Sequence, residues 1–168
     1  MKSRPETKEV ALDALSKLMA WGLAALFIYA GVTKSMVPLR FADSVASFDL
    51  LPAAGVNLVA GTLPVMETLM GLLLIAGFGP MKRAGALGLI ALNLAFIAAL
   101  GSAIARGIIV DCGCFGEGEP SMAKTWWALI RDVGLLVAAI WLYVRWSRES
   151  SEARFSGFPR GDAMASDA

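Results

Sequence analysis

Two cysteines one residue apart are the side chains of this sequence best suited to chemistry. Cys112 and Cys114 are the only cysteines among the 168 residues, and they flank Gly113 in the segment IVDCGCFGEGEP. Two sulfurs this close can form a disulfide, and glycine tolerates the backbone angles that the small ring demands. Such a bond is strained and closes almost no chain, so it suits reversible thiol–disulfide exchange better than structural cross-linking.

Soft-metal binding is the main alternative use of the pair, and an inert loop pair is a third. Two thiolates can hold Cu(I) at low coordination, whereas structural zinc normally takes four ligands, and the chain has no histidine to complete such a set. We therefore assign no metal site. Carboxylates beside the cysteines disfavour a thiolate, so activation depends on basic groups brought in by the fold. The candidates for that role are Arg106, Lys124 and Arg131.

The elements that must carry this segment are membrane-spanning helices. Hydrophobic residues make up 57% of the chain and the mean hydropathy is +0.65, which a soluble domain of this size cannot hide. Four apolar segments, at 18–37, 58–78, 84–105 and 125–144, are long enough to cross a hydrocarbon core of about 30 Å. Because the bilayer offers no water to unpaired peptide groups, we predict an all-α polytopic bundle of four transmembrane helices within residues 18–146.

A shorter helix is predicted between the first two spans. In VPLRFADSVASFDLLP, four apolar residues recur at helical spacing before Pro52, which ends the pattern. They are Phe41, Val45, Phe48 and Leu51. This pattern is typical of a short amphipathic helix at the membrane interface.

The distribution of the basic residues predicts the orientation. Ten of the fifteen fall at the chain ends or between the second and third spans, and four fall on the opposite side: Lys34, Arg40, Arg106 and Lys124. By the positive-inside bias, the leader 1–17 and a disordered tail 147–168 are cytoplasmic. The Cys-Gly-Cys loop then faces the periplasm of a bacterial inner membrane, where thiol pairs normally become disulfides. Nothing in the sequence predicts nucleic-acid binding.

Ionisable side chains inside the predicted spans form a second set of candidates. Glu67 lies about 13 Å into the second span, and Arg131 lies about 9 Å into the fourth with Asp132 beside it. Asn93 lies in the middle of the third span. Ionisable residues at such depth are costly and usually paired or functional. We therefore expect Glu67 and Arg131 to meet inside the bundle, either as a pair that fixes helix register or as part of the site.

The span region resembles the MauE branch of the DoxX-like membrane proteins. The resemblance rests on YAGVTKSMVPLRFADSVASFDLLP with Lys34, on LPVMETLMGLLLIAG with Glu67, and on LIRDVGLL with Arg131. The most specific element is CGCFG, between the third and fourth spans. The resemblance implies a role in methylamine utilisation, in which the disulfide-rich periplasmic small subunit of methylamine dehydrogenase matures beside a thioredoxin-like partner.

The resemblance also implies roles for individual residues. It points to Cys112 and Cys114 as the redox pair and to Glu67 and Arg131 as accompanying polar residues. We add Arg106 and Lys34 as further supporting candidates. Asp132 stands where the family often has asparagine. The expected function is thiol–disulfide exchange with a periplasmic thioredoxin-like protein or client, and the chain is a candidate thiol–disulfide oxidoreductase.

Other functions stay open at this stage. With a single pair, either a quinone meets the cysteines directly or a partner resets them. The alternatives from other classes are a soft-metal (copper or mercury) binding or transport protein and a non-catalytic membrane assembly scaffold.

Overall fold

Five α-helices make up the described part of the chain, residues 4–76, 79–109 and 122–156 of a computed structural model. They are α1 (Arg4–Met36), α2 (Pro38–Ser47), α3 (Ala53–Ala76), α4 (Pro80–Ala105) and α5 (Met122–Ser156). Four of these helices contain stretches long and apolar enough to cross a membrane: Lys8–Met36, Ala53–Ile75, Pro80–Ala105 and Met122–Arg148. The predicted all-α, four-span architecture is confirmed, as is the short helix between the first two spans.

The helices extend beyond the apolar segments that predicted them. Helix α1 begins at Arg4, inside the charged leader, where Lys17 lies 2.8 Å from Asp13 one turn earlier. Helix α5 continues to Ser156, so residues 147–156 are helical, which differs from the disordered tail predicted from position 147. Hydropathy marks the apolar part of a helix but not its ends, because charged residues with i,i+4 partners continue a helix in water.

The four long helices pack in a closed ring. Helix α1 contacts α3, α3 contacts α4, α4 contacts α5, and α5 returns to α1. Small and aliphatic side chains fill the main core of this ring: Ala20, Leu23, Ala24, Phe27, Leu74, Leu89, Ala139 and Leu142. Large apolar side chains outside the ring are exposed, among them Leu18 (72%), Leu58 (66%) and Trp127 (71%). This inverted surface is what a bundle surrounded by lipid tails requires.

Glycine allows α1 and α3 to approach closely. A Cβ placed on Gly31 would lie 2.3 Å from the Oγ1 of Thr68 and 2.5 Å from the carbonyl oxygen of Pro64, distances that no real Cβ tolerates. The contact lies one turn before Lys34 on α1 and beside Glu67 on α3. It therefore brings those two side chains to the same level of the bundle.

Helix α3 begins well beyond the level at which α1 ends, and α2 packs against the part of α3 that α1 does not reach. Lys34 is two residues from the end of α1, whereas Glu67 is fourteen residues into α3, about 21 Å from its beginning. Helix α2 contacts both of these helices. Its Phe41 is buried, while Leu39 on the other side is 81% exposed. We call this end of the bundle, from which residues 110–121 leave α4 and return to α5, the cysteine end.

Candidate functional site

The cysteine segment is approached through an ordered helix end. Cys112 and Cys114 themselves lie outside the described residues. At the end of α4, the N–H of Gly107 donates to the carbonyl of Ile104 (3.0 Å) and the N–H of Ile108 donates to that of Ala103 (2.9 Å). With Gly107 at a φ of +68°, these two bonds form a Schellman motif. The chain therefore leaves α4 toward the cysteines in a fixed direction.

Arg106, a predicted supporting residue, ties the connection between α2 and α3 to this same helix end. Its guanidinium donates to the carbonyl oxygen of Asp49 (3.2 Å) and to that of Phe48, while its Nε donates to the carbonyl of Ser102 (3.3 Å). Asp49 has a φ of +50°, so the bond stabilises a turn conformation that few residues adopt. Arg106 is thus a positioning residue between α2 and the start of the cysteine segment.

A buried ion pair occupies the interior of the bundle. The Nζ of Lys34 lies 2.5 Å from the Oε1 of Glu67, and each side chain is 1% exposed. The same ammonium group lies 5.2 Å from the ring centroid of Phe41 and 5.1 Å from that of Phe96, a cation–π geometry. Two charges this deep are retained only if they compensate each other.

Glu67 takes Lys34 as its ion-pair partner, a contact that the sequence did not predict. The guanidinium of Arg131 binds the neighbouring Asp132, with N–O distances of 2.8 and 2.9 Å to its Oδ1. The reason is the close approach of α1 and α3 at Gly31, which delivers the long Lys34 side chain to Glu67. Lys34 is therefore buried, although the sequence placed it among the outward-facing basic residues.

A small cavity nevertheless joins the predicted intramembrane residues. It has a volume of about 20 Å³, close to that of one water molecule, and its lining includes Lys34, Glu67, Asn93, Arg131 and Asp132. The Oε2 of Glu67 is buried and has no hydrogen-bond partner among the described residues. The structure thus brings three of the predicted supporting residues together at one place and leaves Arg106 apart at the end of α4.

A larger apolar cavity lies between α2, α3 and α4, toward the cysteine end. Its volume is about 300 Å³, and its walls include Phe41 of α2, Phe48 directly after that helix, Val59 of α3 and Ala99 of α4. Among the described residues of its lining, Asp132 of α5 is the acidic one. The sequence did not predict this cavity. It forms where α1 has ended and α2 packs against α3 in its place.

The two cavities share a boundary. Phe96 and Asp132 line both of them, and Phe41 lines the apolar one while contacting the Lys34 ammonium. The sequence pattern predicts the place of Phe41 on the apolar face of α2 and no role for Phe96. Their contacts with Lys34 depend on three helices meeting, and no local spacing encodes that.

Comparison with known proteins is consistent with this architecture. The family model described as methylamine utilisation protein MauE matches residues 12–145. The methylamine utilization protein MauE of Paracoccus denitrificans is 33% identical over 119 residues, which are 70% of this chain and 62% of that protein. The matched region thus spans less than two thirds of the relative's length. No solved structure matches. The family match includes the cysteine segment and reaches into all four candidate spans, and the chain therefore belongs to the MauE family.

Proposed function

We propose that this multi-pass membrane protein exchanges disulfides through Cys112 and Cys114 and so supports redox maturation of periplasmic proteins beside a thioredoxin-like partner. The observation that carries the proposal is that the chain's only two cysteines stand one residue apart in the connection between α4 and α5. The Schellman motif and Arg106 hold the start of that connection. The client is a disulfide-rich protein of methylamine utilisation, the process named for the relative in Paracoccus denitrificans.

The exchange proceeds through a mixed disulfide. A client thiolate attacks one sulfur of the oxidised pair, the Cys112–Cys114 bond breaks, and the client becomes covalently joined to the chain. The second client thiol then displaces this chain. The client gains a disulfide, and Cys112 and Cys114 become two thiols, having taken up two electrons and two protons. The disulfide of a thioredoxin-like partner accepts those electrons by the same steps, or the reverse sequence reduces a client, according to the relative reduction potentials.

Trapping of the mixed disulfide tests the proposal. In a single-serine variant the remaining thiolate attacks the disulfide of the thioredoxin-like partner, and the covalent complex then has no internal escape, so one of the two variants should accumulate it strongly. We expect Cys112→Ser to be the trapping variant, with Cys114 as the attacking sulfur, and both single variants to lose maturation activity. Non-reducing gels of acid-quenched cells would show the complex, and the same samples treated with excess reductant are the control.

The outcome of the double variant is decisive. A Cys112→Ser/Cys114→Ser protein that still matures its clients would refute the redox function. Copper or mercury sensitivity of the same strain would instead favour the soft-metal alternative, because thiolate pairs bind those metals without exchanging electrons with a client.

A further inference from the structure

We infer that the apolar cavity between α2, α3 and α4 binds a lipid-soluble quinone, which reoxidises Cys112 and Cys114. The inference rests on the proposed function and adds the electron acceptor to it. The cavity volume of about 300 Å³ lies at the lower end of the range for small-molecule sites, roughly 300–1,000 Å³. It accommodates a single substituted ring with a short length of apolar chain, which is far less than a whole membrane lipid.

The polarity of the cavity selects the ligand class. Its acidic lining residue, Asp132, lies deep in the bundle, ten residues into α5 and about 15 Å from the beginning of that helix. A phospholipid has the opposite arrangement, with its polar group at the water surface. A quinone presents a ring with two oxygens and trails an apolar chain, so its ring can lead into the cavity. The carboxylate of Asp132 can accept a hydrogen bond from the reduced ring's hydroxyl.

Aromatic walls suit a flat ring. Phe41 and Phe96 line the cavity, and the Lys34 ammonium lies over both rings, 5.2 and 5.1 Å from their centroids. Aromatic faces pack on a quinone ring in the offset geometry that ring pairs prefer. The Lys34–Glu67 pair fixes the ammonium that contacts both rings, so the buried charges position this wall.

The cavity lies at the same end of the bundle as the cysteines. Phe48 lines it, and Arg106 binds the Phe48 carbonyl at the point where the chain leaves α4. Cys112 is six residues after Arg106, so an extended chain of at most about 20 Å joins them. The thiols are therefore joined by a short stretch of chain to the helix end whose Arg106 contacts a residue of the cavity wall.

The reaction balances with the quinone as the named oxidant. The two S–H bonds of the reduced pair break, one S–S bond forms, and two electrons and two protons convert the two ring carbonyls to hydroxyls. One quinone is consumed per pair, and the quinol returns to the bilayer. This step sets the direction of electron flow from client thiols to the membrane.

Binding of decylubiquinone to the purified full chain in detergent tests the site. Ala99→Phe fills the cavity from α4, whereas Ala98→Phe places the same side chain on the exposed side of that helix. We expect Ala99→Phe to weaken binding by roughly tenfold or more and Ala98→Phe to bind like the parent protein. If Ala99→Phe does not fold, Val59→Phe tests the opposite wall, with Leu58→Phe, at a position 66% exposed, as its control.

A second measurement tests the electron transfer. The pre-reduced protein should convert one decylubiquinone to quinol per disulfide formed, and the double-serine variant should bind the quinone without reducing it. Equal binding by the Ala98 and Ala99 variants, or a phospholipid retained in the cavity by native mass spectrometry, would overturn the quinone site. Binding without thiol oxidation would overturn the reoxidation step. A trapped complex with the thioredoxin-like partner in a protein that binds no quinone would leave the proposed function standing and refute this inference alone.

Discussion

Lys34 and Glu67 would each be an isolated charge inside the bundle if the other were absent. Both side chains are 1% exposed, and they meet at 2.5 Å. Removal of one member of a buried pair leaves an uncompensated charge and typically costs about 3–5 kcal/mol, whereas replacement of both by apolar residues is often nearly neutral. Each member of the pair is therefore required as long as the other is present, whereas the two together can be replaced at little cost in stability.

A double-mutant cycle tests this coupling. Lys34→Met and Glu67→Leu should each lower the free energy of unfolding by about 3–5 kcal/mol, and the double variant should lose much less than their sum. Lys17→Met is the matched control on α1, since its pair with Asp13 is exposed (66% and 51%) and should change stability by about 1 kcal/mol or less. Thermal or denaturant unfolding in detergent would measure the effects. Strictly additive losses would contradict the pair.

Among the helices, α1 and α3 form the contact that places the charged residues. The Gly31 position lies against Thr68 and Pro64 with no room for a Cβ, whereas nothing lies within 4 Å of a Cβ built on Gly22 of the same helix. Overpacking of this kind forces neighbours apart and typically costs about 1–3 kcal/mol. A side chain at position 31 would therefore disturb the packing one turn from Lys34 and beside Glu67.

Two alanine substitutions on α1 separate packing from helix propensity. Gly31→Ala should lower the unfolding temperature, because α1 and α3 must separate, and should also weaken the Lys34–Glu67 contact. Gly22→Ala should leave stability unchanged or raise it by up to about 1 kcal/mol, because alanine favours the helix. Thermal unfolding of both purified variants decides the matter, and equal effects would show that the close approach at Gly31 is not a stability determinant.

The sequence predicted the elements better than their contacts. Hydropathy located all four spans, and the spacing of apolar residues located α2, because these signals depend on the position along one helix. The partner of Glu67 was missed because depth along a span gives height but not direction around the bundle. Only the ring order of α1, α3, α4 and α5 determines that Lys34 approaches it from α1. The apolar cavity was also missed, because it depends on the level at which α1 ends relative to α3, and a sequence pattern does not contain that relation.

At the scale of the whole molecule, the basic residues still favour one orientation. With Lys34 buried, three of the outward set remain, against ten on the side of the termini. A reporter that is active only outside the cytoplasm should therefore be active when fused after Glu119 and inactive when fused after Arg148. Expression levels of the two fusions, measured by immunoblot, are the control. The reverse pattern would place the cysteines in the cytoplasm and remove the oxidising environment that the proposed function needs.

The placement of the buried charges also bears on how the chain enters the membrane during synthesis. A single lysine or acidic residue at mid-span opposes insertion by about 2.5–3.5 kcal/mol. Here Lys34 on α1 and Glu67 on α3 belong to consecutive spans and compensate each other, so we expect the first half of the bundle to leave the insertion machinery as a hairpin without net buried charge before α4 is made. Asp132 enters beside Arg131 on α5, and Asn93 on α4 donates to the Leu89 carbonyl of its own helix at 2.8 Å. Each half of the protein thus contains the partners of its own buried polar side chains, so its insertion does not depend on the other half.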